Sequence, residues 1–327
     1  MQGDINWVHG VAFFNDGRRV VTGSHTTLRI RNAKNGTLLG ELLQGHKGSV
    51  FSVAVSPDDR RIASGGQDNT VIIWHVERKR IVHKLVKHRG DVNCVCFSPD
   101  GKRLASGSND GTTVIWDMKS GTVLTTLVVR NFWVSSVAFS PDGLIFASAT
   151  SDGIIHVCRT DNAKLVLKFK AHEIWVCGIM WSADGQQLIS ASHDKTVKFW
   201  NSSTGRQIGQ PCTGHTDRIR SLAITSDSSV IATASDDKTV RLWSTKTYQQ
   251  IGQPFKHPNT VLCVAISPNG AQLASGARNE NLYLWSIRNI LQRQDGQEGY
   301  KEVLEVDQQP RIVSLQFFLF FHHISRR

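Results

Sequence analysis

Histidine, serine or threonine, and aspartate recur along the chain in a fixed order and at nearly fixed spacing. In the segment that begins at His88 the three residues are His88, Ser106 and Asp110, and Trp116 follows. A histidine between a carboxylate and a hydroxyl is the arrangement by which many hydrolases activate a serine nucleophile. The set recurs in at least four segments, however, whereas an enzyme needs one active site. Repetition therefore favours a structural role for these side chains and predicts no catalytic residue.

Four segments carry the complete set of histidine, hydroxyl, aspartate and tryptophan, and three do not. The complete sets are His46, Ser64, Asp68 and Trp74; His88, Ser106, Asp110 and Trp116; His172, Ser190, Asp194 and Trp200; and His215, Thr233, Asp237 and Trp243. The last segment has asparagine in place of aspartate, in the set His257, Ser275, Asn279 and Trp285. The histidine and tryptophan positions are replaced in the first segment by Asp4 and Arg31, and in the fourth, which keeps Ser148 and Asp152, by Arg130 and Cys158.

The elements that must position these residues have the pattern of short β-strands joined by tight turns. Residues 93–97 and 103–107 are largely apolar runs, and Ser98-Pro99-Asp100-Gly101 joins them. Proline presets φ, aspartate caps a turn and glycine accepts positive φ, so this stretch is predicted to be a hairpin. A second tight turn, residues 108–111, leads to a third strand at residues 113–116.

The same unit repeats along almost the whole chain. An aliphatic residue four positions after the histidine position serves as an anchor, and the anchors are Val8, Val50, Val92, Val134, Val176, Ile219 and Val261. Their spacing is 42 residues, with one interval of 43. Period, turns and polar positions together resemble the WD40 repeat family over residues 3–286. The resemblance implies an all-β fold, a seven-bladed β-propeller of four-stranded antiparallel blades, with blades starting near residues 3, 45, 87, 129, 171, 214 and 256.

The resemblance also implies a place for each recurring side chain. With strands lettered a to d from the channel outward, the aspartate lies in the b–c turn and the histidine in the d–a loop. The hydroxyl lies on strand b and the indole on strand c. A buried hydrogen-bonded chain of these groups would tie the strands of each blade together and make the sheet rigid.

The end of the chain departs from the repeat. Residues 300–306 are predicted to form strand d of the seventh blade, so that the propeller covers residues 3–306 and a tail covers residues 307–327. Within this tail, residues 311–317 resemble the first strand of a further repeat.

Charge and cysteine content limit which functions the sequence can support. The formal net charge is +11, but the excess is spread along the chain, whereas a nucleic-acid site usually shows a clustered stripe. One local cluster, Arg78-Lys79-Arg80, falls near an outer strand, where cations protect a sheet edge. The six cysteines show no metal-ligand CxxC spacing, and most occupy inner-strand positions where cysteine acts as a small hydrophobic residue. We expect reduced thiols, and neither a metal nor another cofactor.

Localisation is expected to be cytoplasmic or nuclear. The first ten residues lack the basic and apolar regions of a signal peptide. The apolar run at residues 315–321 is too short to span a bilayer, so no membrane partner is predicted.

In the family, partners commonly dock around the channel mouth, on the face formed by the d–a and b–c loops. The positions beside each anchor and before each aspartate point there. Carried over, these positions predict a partner-binding face of Trp7, His9, Phe51, Gln67, Trp133, Trp175, His193, Arg218, Arg220, Asp236 and Arg278. Trp7, Trp133 and Trp175 occupy no structural position, and aromatic and arginine residues are typical of interface hot spots. Binding is therefore favoured over the alternative that each indole packs on its neighbouring loop.

The sequence supports a non-catalytic scaffold that binds a protein or peptide on this face. The alternative is a propeller that binds nucleic acid through its basic charge and its aromatic residues at the channel mouth. An enzyme is disfavoured because the chain has no glycine-rich phosphate loop, HExxH motif or convergent carboxylate pair.

Overall fold

A computed structural model describes residues 7–129, 131–288 and 310–314. The described strands form seven four-stranded antiparallel sheets, and strand order within each sheet follows the chain. The prediction of a seven-bladed all-β propeller is therefore confirmed.

Each blade runs from an inner strand a to an outer strand d. Blades one and two contain β1 (Val8–Phe13), β2 (Arg19–Ser24), β3 (Thr27–Asn32), β4 (Leu43–Gln44), β5 (Val50–Val55), β6 (Arg61–Gly66), β7 (Thr70–His75) and β8 (Arg80–Val86). Blades three and four contain β9 (Val92–Phe97), β10 (Arg103–Ser108), β11 (Thr112–Asp117), β12 (Val123–Val128), β13 (Val134–Phe139), β14 (Ile145–Thr150), β15 (Ile154–Arg159) and β16 (Leu165–Lys170).

The remaining blades have the same pattern. Blades five and six contain β17 (Val176–Trp181), β18 (Gln187–Ser192), β19 (Val197–Asn201), β20 (Gln207–Cys212), β21 (Ile219–Ile224), β22 (Val230–Ser235), β23 (Thr239–Ser244) and β24 (Gln250–Lys256). Blade seven contains β25 (Val261–Ile266), β26 (Gln272–Ala277), β27 (Asn281–Ser286) and β28 (Arg311–Ser314).

The burial of each strand follows its place in the blade. Middle strands such as β6 and β7 are buried on both faces and contain nearly continuous apolar or small residues. The outer strand β8 is mostly exposed and mixes apolar residues with basic ones. Burial therefore decreases toward the outer strand, and the buried faces of each sheet pack against its two neighbours.

The described residues form seven apolar core clusters, and each cluster spans the seam between two neighbouring blades. The seam between blades seven and one packs Val8 and Phe13 against Cys263 and Leu282. This cluster closes the ring by apolar contact between the first and last blades.

The seventh blade corrects the prediction for the end of the chain. β28 pairs antiparallel with β27 and supplies the fourth strand. Assigning residues 311–317 to the first strand of a further repeat is therefore wrong where the structure describes them. Residues 300–306, predicted to form this outer strand, lie outside the described residues. Val313 packs at the seam between blades seven and one. The sequence pattern of β28 does not indicate this contact, because its partners are distant in the chain.

Candidate functional site

In each complete blade a histidine ring links the aspartate to the hydroxyl. In blade three, Nδ1 of His88 lies 3.1 Å from Oδ2 of Asp110, and Nε2 lies 2.7 Å from Oγ of Ser106. The indole N–H of Trp116 donates to the same Oγ at 2.8 Å. Because an ionised carboxylate only accepts, Nδ1–H donates to Asp110 and the hydroxyl of Ser106 donates to Nε2. The ring therefore joins the carboxylate of the b–c turn to the hydroxyl of strand b.

The same contacts recur in the other three complete blades. They join His46 to Asp68, Ser64 and Trp74; His172 to Asp194, Ser190 and Trp200; and His215 to Asp237, Thr233 and Trp243. The hydroxyl is fully buried in all four blades. These groups therefore link strands and do not present a nucleophile to solvent.

The pKa values of His172 and Asp194 in blade five indicate which of the two groups is charged. Burial lowers the pKa of His172, and the hydrogen bond that its Nδ1–H donates to Asp194 opposes part of that effect. Burial alone would raise the pKa of Asp194, but hydrogen bonds and the electrostatic contact with His172 lower that pKa to about 2. The carboxylate therefore stays ionised and the imidazole stays neutral near neutral pH.

A further member of the network was missed from the sequence. A threonine two positions after the aspartate donates its hydroxyl to the carboxylate at 2.6–2.8 Å in the four complete blades, and these residues are Thr70, Thr112, Thr196 and Thr239. The signal that could have revealed it is the local pattern Asp-x-Thr. Blades four and seven have Ile154 and Asn281 at this position.

Blade seven corrects the assignment of Asn279. Nδ1 of His257 lies 3.1 Å from the carbonyl oxygen of Phe255, and Nε2 lies 2.8 Å from Oγ of Ser275. Asn279 instead donates its amide to the hydroxyl of Tyr283. With no carboxylate as partner, burial lowers the pKa of His257 to about 4. The carbonyl replaces aspartate as the acceptor, so the predicted four-residue set is not complete in this blade.

Blades one and four have other arrangements. In blade four, Oγ of Ser148 lies 2.8 Å from Oγ1 of Thr113 in blade three, and Cys158 is fully buried in the tryptophan position. In blade one, Arg31 donates to the carbonyl of Gly36, and burial lowers its pKa to about 10. Arg130 and Asp4, which replace histidine, lie outside the described residues.

Each blade has a β-bulge that directs a side chain into the central channel. In every blade the pairing of strands a and b shifts register immediately after the anchor, which leaves one extra residue. The bulged residues are His9, Phe51, Asn93, Ser135, Cys177, Arg220 and Leu262. A bulge redirects a side chain away from the regular alternation. All seven bulged residues line the central channel, whose volume is about 840 Å³.

One part of the mouth is aromatic. The rings of Trp133 and Trp175 meet edge to face, with centroids 5.4 Å apart, and Trp175 packs on His193 at 4.9 Å. Exposed fractions are 47% for Trp133, 42% for Phe132 and 48% for Ile174. These five residues form what we call the aromatic arc. Phe132 and Ile174 were missed from the sequence because they lie two positions before the anchors.

The opposite rim also pairs aromatic and cationic groups. The guanidinium of Arg278 lies 4.4 Å from the ring centroid of Trp7. His9 packs between Trp7 and Phe51, with centroid distances of 5.8 and 5.3 Å. Burial, with a contribution from Arg278, lowers the pKa of His9 to about 4. Gln67 is exposed. These predicted residues therefore lie apart from the aromatic arc.

The two arginines of blade six differ in their environment. Nε and Nη2 of Arg220 contact the carboxylate of Asp236 at 2.9 and 2.6 Å. Arg218 is exposed and has no ion-pair partner among the described residues. Burial, then Arg220 and Arg218, lower the pKa of His193 to about 4. Asp236 therefore pairs with Arg220 and leaves Arg218 as the more exposed of the two predicted guanidiniums.

The sheet order, the repeated histidine network and the closed ring define a WD40-type seven-bladed propeller. A family model described as the IFT122 first beta-propeller matches residues 7–210, more than half of the chain. A model described as the TEP-1 C-terminal beta-propeller matches residues 215–286. The chain belongs to the family of WD40-type β-propellers that the first of these describes.

A comparison with curated proteins found no match. Among the described residues, no helix has the length and apolar character needed to cross a membrane. Propellers of this family are generally non-catalytic, and the fold is typical of protein-interaction domains.

Proposed function

We propose that this chain is a non-catalytic interaction module that captures an extended peptide at the channel mouth. The aromatic arc carries the proposal. Phe132, Trp133 and Ile174 each expose a large apolar side chain next to the packed rings of Trp133 and Trp175. Exposed apolar patches with polar surroundings are typical of interaction sites, and large aromatic side chains dominate binding energy when a partner covers them.

Trp175 adds a polar feature to this surface. Its indole N–H is buried and has no hydrogen-bond partner among the described residues. A buried donor without an acceptor is costly and uncommon. We assign this N–H to a backbone carbonyl of the bound peptide, because an extended segment presents carbonyl groups beside its side chains. The arc therefore offers both apolar contact and one directional hydrogen bond.

The charge at the channel mouth determines which peptide residue can lie next to the apolar residue that the aromatic arc binds. Arg218 is exposed beside the arc, and it influences the pKa of His193, which packs on Trp175. His193 stays neutral near neutral pH because its pKa is about 4. Arg218 is thus the cation available to a ligand there, and it suits a carboxylate. The peptide class that fits has an apolar or aromatic residue next to an acidic residue.

Selection from a random displayed-peptide library would test this function. Selected peptides should be enriched in that pattern, and Trp133→Ala should weaken their binding by about thirtyfold, which corresponds to about 2 kcal/mol. Leu144→Ala is the matched control, since Leu144 is also exposed and apolar but follows the a–b turn of blade four. The thermal midpoint of both variants should stay close to that of wild type.

Four results would contradict the proposal. Selection could yield no peptide, or Trp133→Ala could bind the selected peptides as well as wild type. A preference for single-stranded oligonucleotides, with steep salt dependence, would instead support the nucleic-acid alternative. A large fall in the thermal midpoint of Trp133→Ala would show that the indole serves loop packing.

A further inference from the structure

A groove of about 720 Å³ lies at the seam between blades seven and one, on the side of the a–b and c–d turns, away from the channel mouth formed by the bulged residues. Three cationic and three amide side chains contribute to its wall: Arg18, Lys34, Arg288, Asn32, Asn269 and Gln272. No carboxylate lines the groove among the described residues. We call this feature the seam groove.

The cations of the seam groove are not neutralised by neighbours. Arg18, Lys34 and Arg288 are exposed, and none has an ion-pair partner in the part of the chain that the structure describes. Asp16, the acid next to the groove in sequence, accepts hydrogen bonds from the backbone of Arg18 and Arg19 and pairs with the Arg19 guanidinium. Its charge is therefore already engaged.

Asn269 makes this seam different from the others. The a–b turn carries a carboxylate at this position in the other six blades, at Asp16, Asp58, Asp100, Asp142, Asp184 and Asp227. Oδ1 of Asn269 accepts hydrogen bonds from Ser267 and Ala271, as a carboxylate oxygen does in those turns. Its amide nitrogen is left to face Gly17 in the groove. The substitution keeps the turn and replaces a negative charge with a donor.

Cations on blades two and three of the same face have acids beside them. Arg60 and Lys102 each lower the pKa of the aspartate in their own turn, Asp58 and Asp100, whose burial acts in the opposite direction. Lys119 lies beside Asp117, whose pKa is lowered mainly by hydrogen bonds from Ser120. Arg18 also follows an acid in its own turn, but Asp16 pairs with the Arg19 guanidinium and does not line the groove. Three cations with no carboxylate in the described groove wall attract anions.

We propose that the seam groove binds a cluster of phosphate groups, carried either by a soluble polyphosphorylated molecule or by a lipid headgroup. Its volume is within the range of small-molecule sites. Guanidinium groups of Arg18 and Arg288 match phosphate oxygens in forked hydrogen bonds, Lys34 adds a compact positive charge, and the amide of Asn269 adds a neutral donor. This inference does not depend on the peptide site at the channel mouth.

Calorimetric titration with tripolyphosphate and with inositol hexakisphosphate tests the proposal. Replacing Arg18, Lys34 and Arg288 together with glutamine should weaken binding at least tenfold. The control replaces Arg60, Lys102 and Lys119 with glutamine, which removes the same charge from the same face and should change affinity less than twofold. All six side chains are exposed, so both variants should keep the wild-type thermal midpoint.

Asn269→Asp provides a second test that cannot fail through misfolding of the turn, since six blades carry aspartate there. It should weaken binding several-fold by placing a carboxylate in the groove. Vesicles with and without phosphatidylinositol bisphosphate distinguish the two sources: capture that soluble inositol hexakisphosphate competes away supports a site open to both. Absence of binding to all probes, equal weakening in the two triple variants, or wild-type affinity in Asn269→Asp would overturn the proposal.

Discussion

Blades two, three, five and six contain the complete hydrogen-bonded network, whereas blades one, four and seven do not. All seven nevertheless have four antiparallel strands in the same order, and all show the same bulge after the anchor. The network is therefore not what specifies the blade. Apolar strands, tight turns and the packing of each sheet between two neighbours are sufficient, and the network adds stability where it is present.

The incomplete blades contribute much of the unusual surface. Trp7 precedes the anchor of blade one, Trp133 precedes that of blade four, and Arg278 lies on blade seven over the ring of Trp7. Blades two and three have Ser49 and Asp91 before their anchors. Trp175 of blade five is the exception, and it packs directly on Trp133. Positions at the mouth thus vary freely while the strands beneath them stay regular.

The largest difference in stability between complete and incomplete blades is expected at the tryptophan position. Trp200→Ala in blade five should lower the free energy of unfolding by about 3–5 kcal/mol, because it opens a cavity and removes the donor to Ser190. Cys158→Ala in blade four should cost about 1 kcal/mol, since it removes one small buried group. Urea unfolding followed by circular dichroism measures both. Equal losses would show that blade four depends on this position as strongly as blade five.

The pH dependence of stability should distinguish blade seven from blade five. The pKa of His257 is about 4 in the folded chain against an ordinary 6.5. The unfolded chain therefore binds more protons between these values, so the contribution to stability is complete above pH 6.5 and is lost as pH falls toward 4. The shift corresponds to about 3 kcal/mol.

Chemical denaturation at a series of pH values measures this contribution. His257→Gln should flatten the slope between pH 6.5 and 4 more than His172→Gln, because Asp194 opposes the effect of burial on the pKa of His172. An unchanged slope in His257→Gln would contradict the burial of a neutral imidazole without a carboxylate partner.

The aspartate position should show an intermediate effect. Asp194→Ala leaves His172 and Thr196 without their acceptor, at a cost of about 1–3 kcal/mol. Asp152→Ala should cost less, because Asp152 bonds Thr150 and has no hydrogen bond to a histidine among the described residues. Thermal and urea unfolding of the two variants would give the difference. Losses of the same size would mean that Asp152 has a partner equivalent to His172.

The fold was predictable because each blade has the same local sequence pattern. Every anchor, from Val8 to Val261, is the first residue of an inner strand, and the turns fall where proline, aspartate and glycine indicate. Residue spacing therefore predicted the seven blades, and the four complete sets of network residues lie in hydrogen-bonding contact.

The remaining features depend on partners distant in sequence. The ion pair between Arg220 and Asp236 joins strand a to the b–c turn, and β28 pairs with β27 after a long intervening segment. The bulge that turns Arg220 into the channel is a property of strand register, which residue types alone do not define. The proposed peptide and phosphate sites depend on side chains whose types differ from blade to blade, such as Trp133 and Asn269.

Asn279→Asp should have the smallest effect and tests the comparison most directly, because it restores the residue that complete blades carry. At pH 7 stability should change by less than about 1 kcal/mol, since the carbonyl of Phe255 already accepts from His257 and a carboxylate can accept from Tyr283 in place of the present contact. The new negative charge should raise the pKa of His257 toward 6.5 and reduce the loss of stability between pH 6.5 and 4. Denaturation at the two ends of this range measures both effects. A gain of several kcal/mol at pH 7 would show that the aspartate, and not only the packing beneath it, organises a blade, while an unchanged acid slope would show that the loop of blade seven keeps position 279 away from the imidazole.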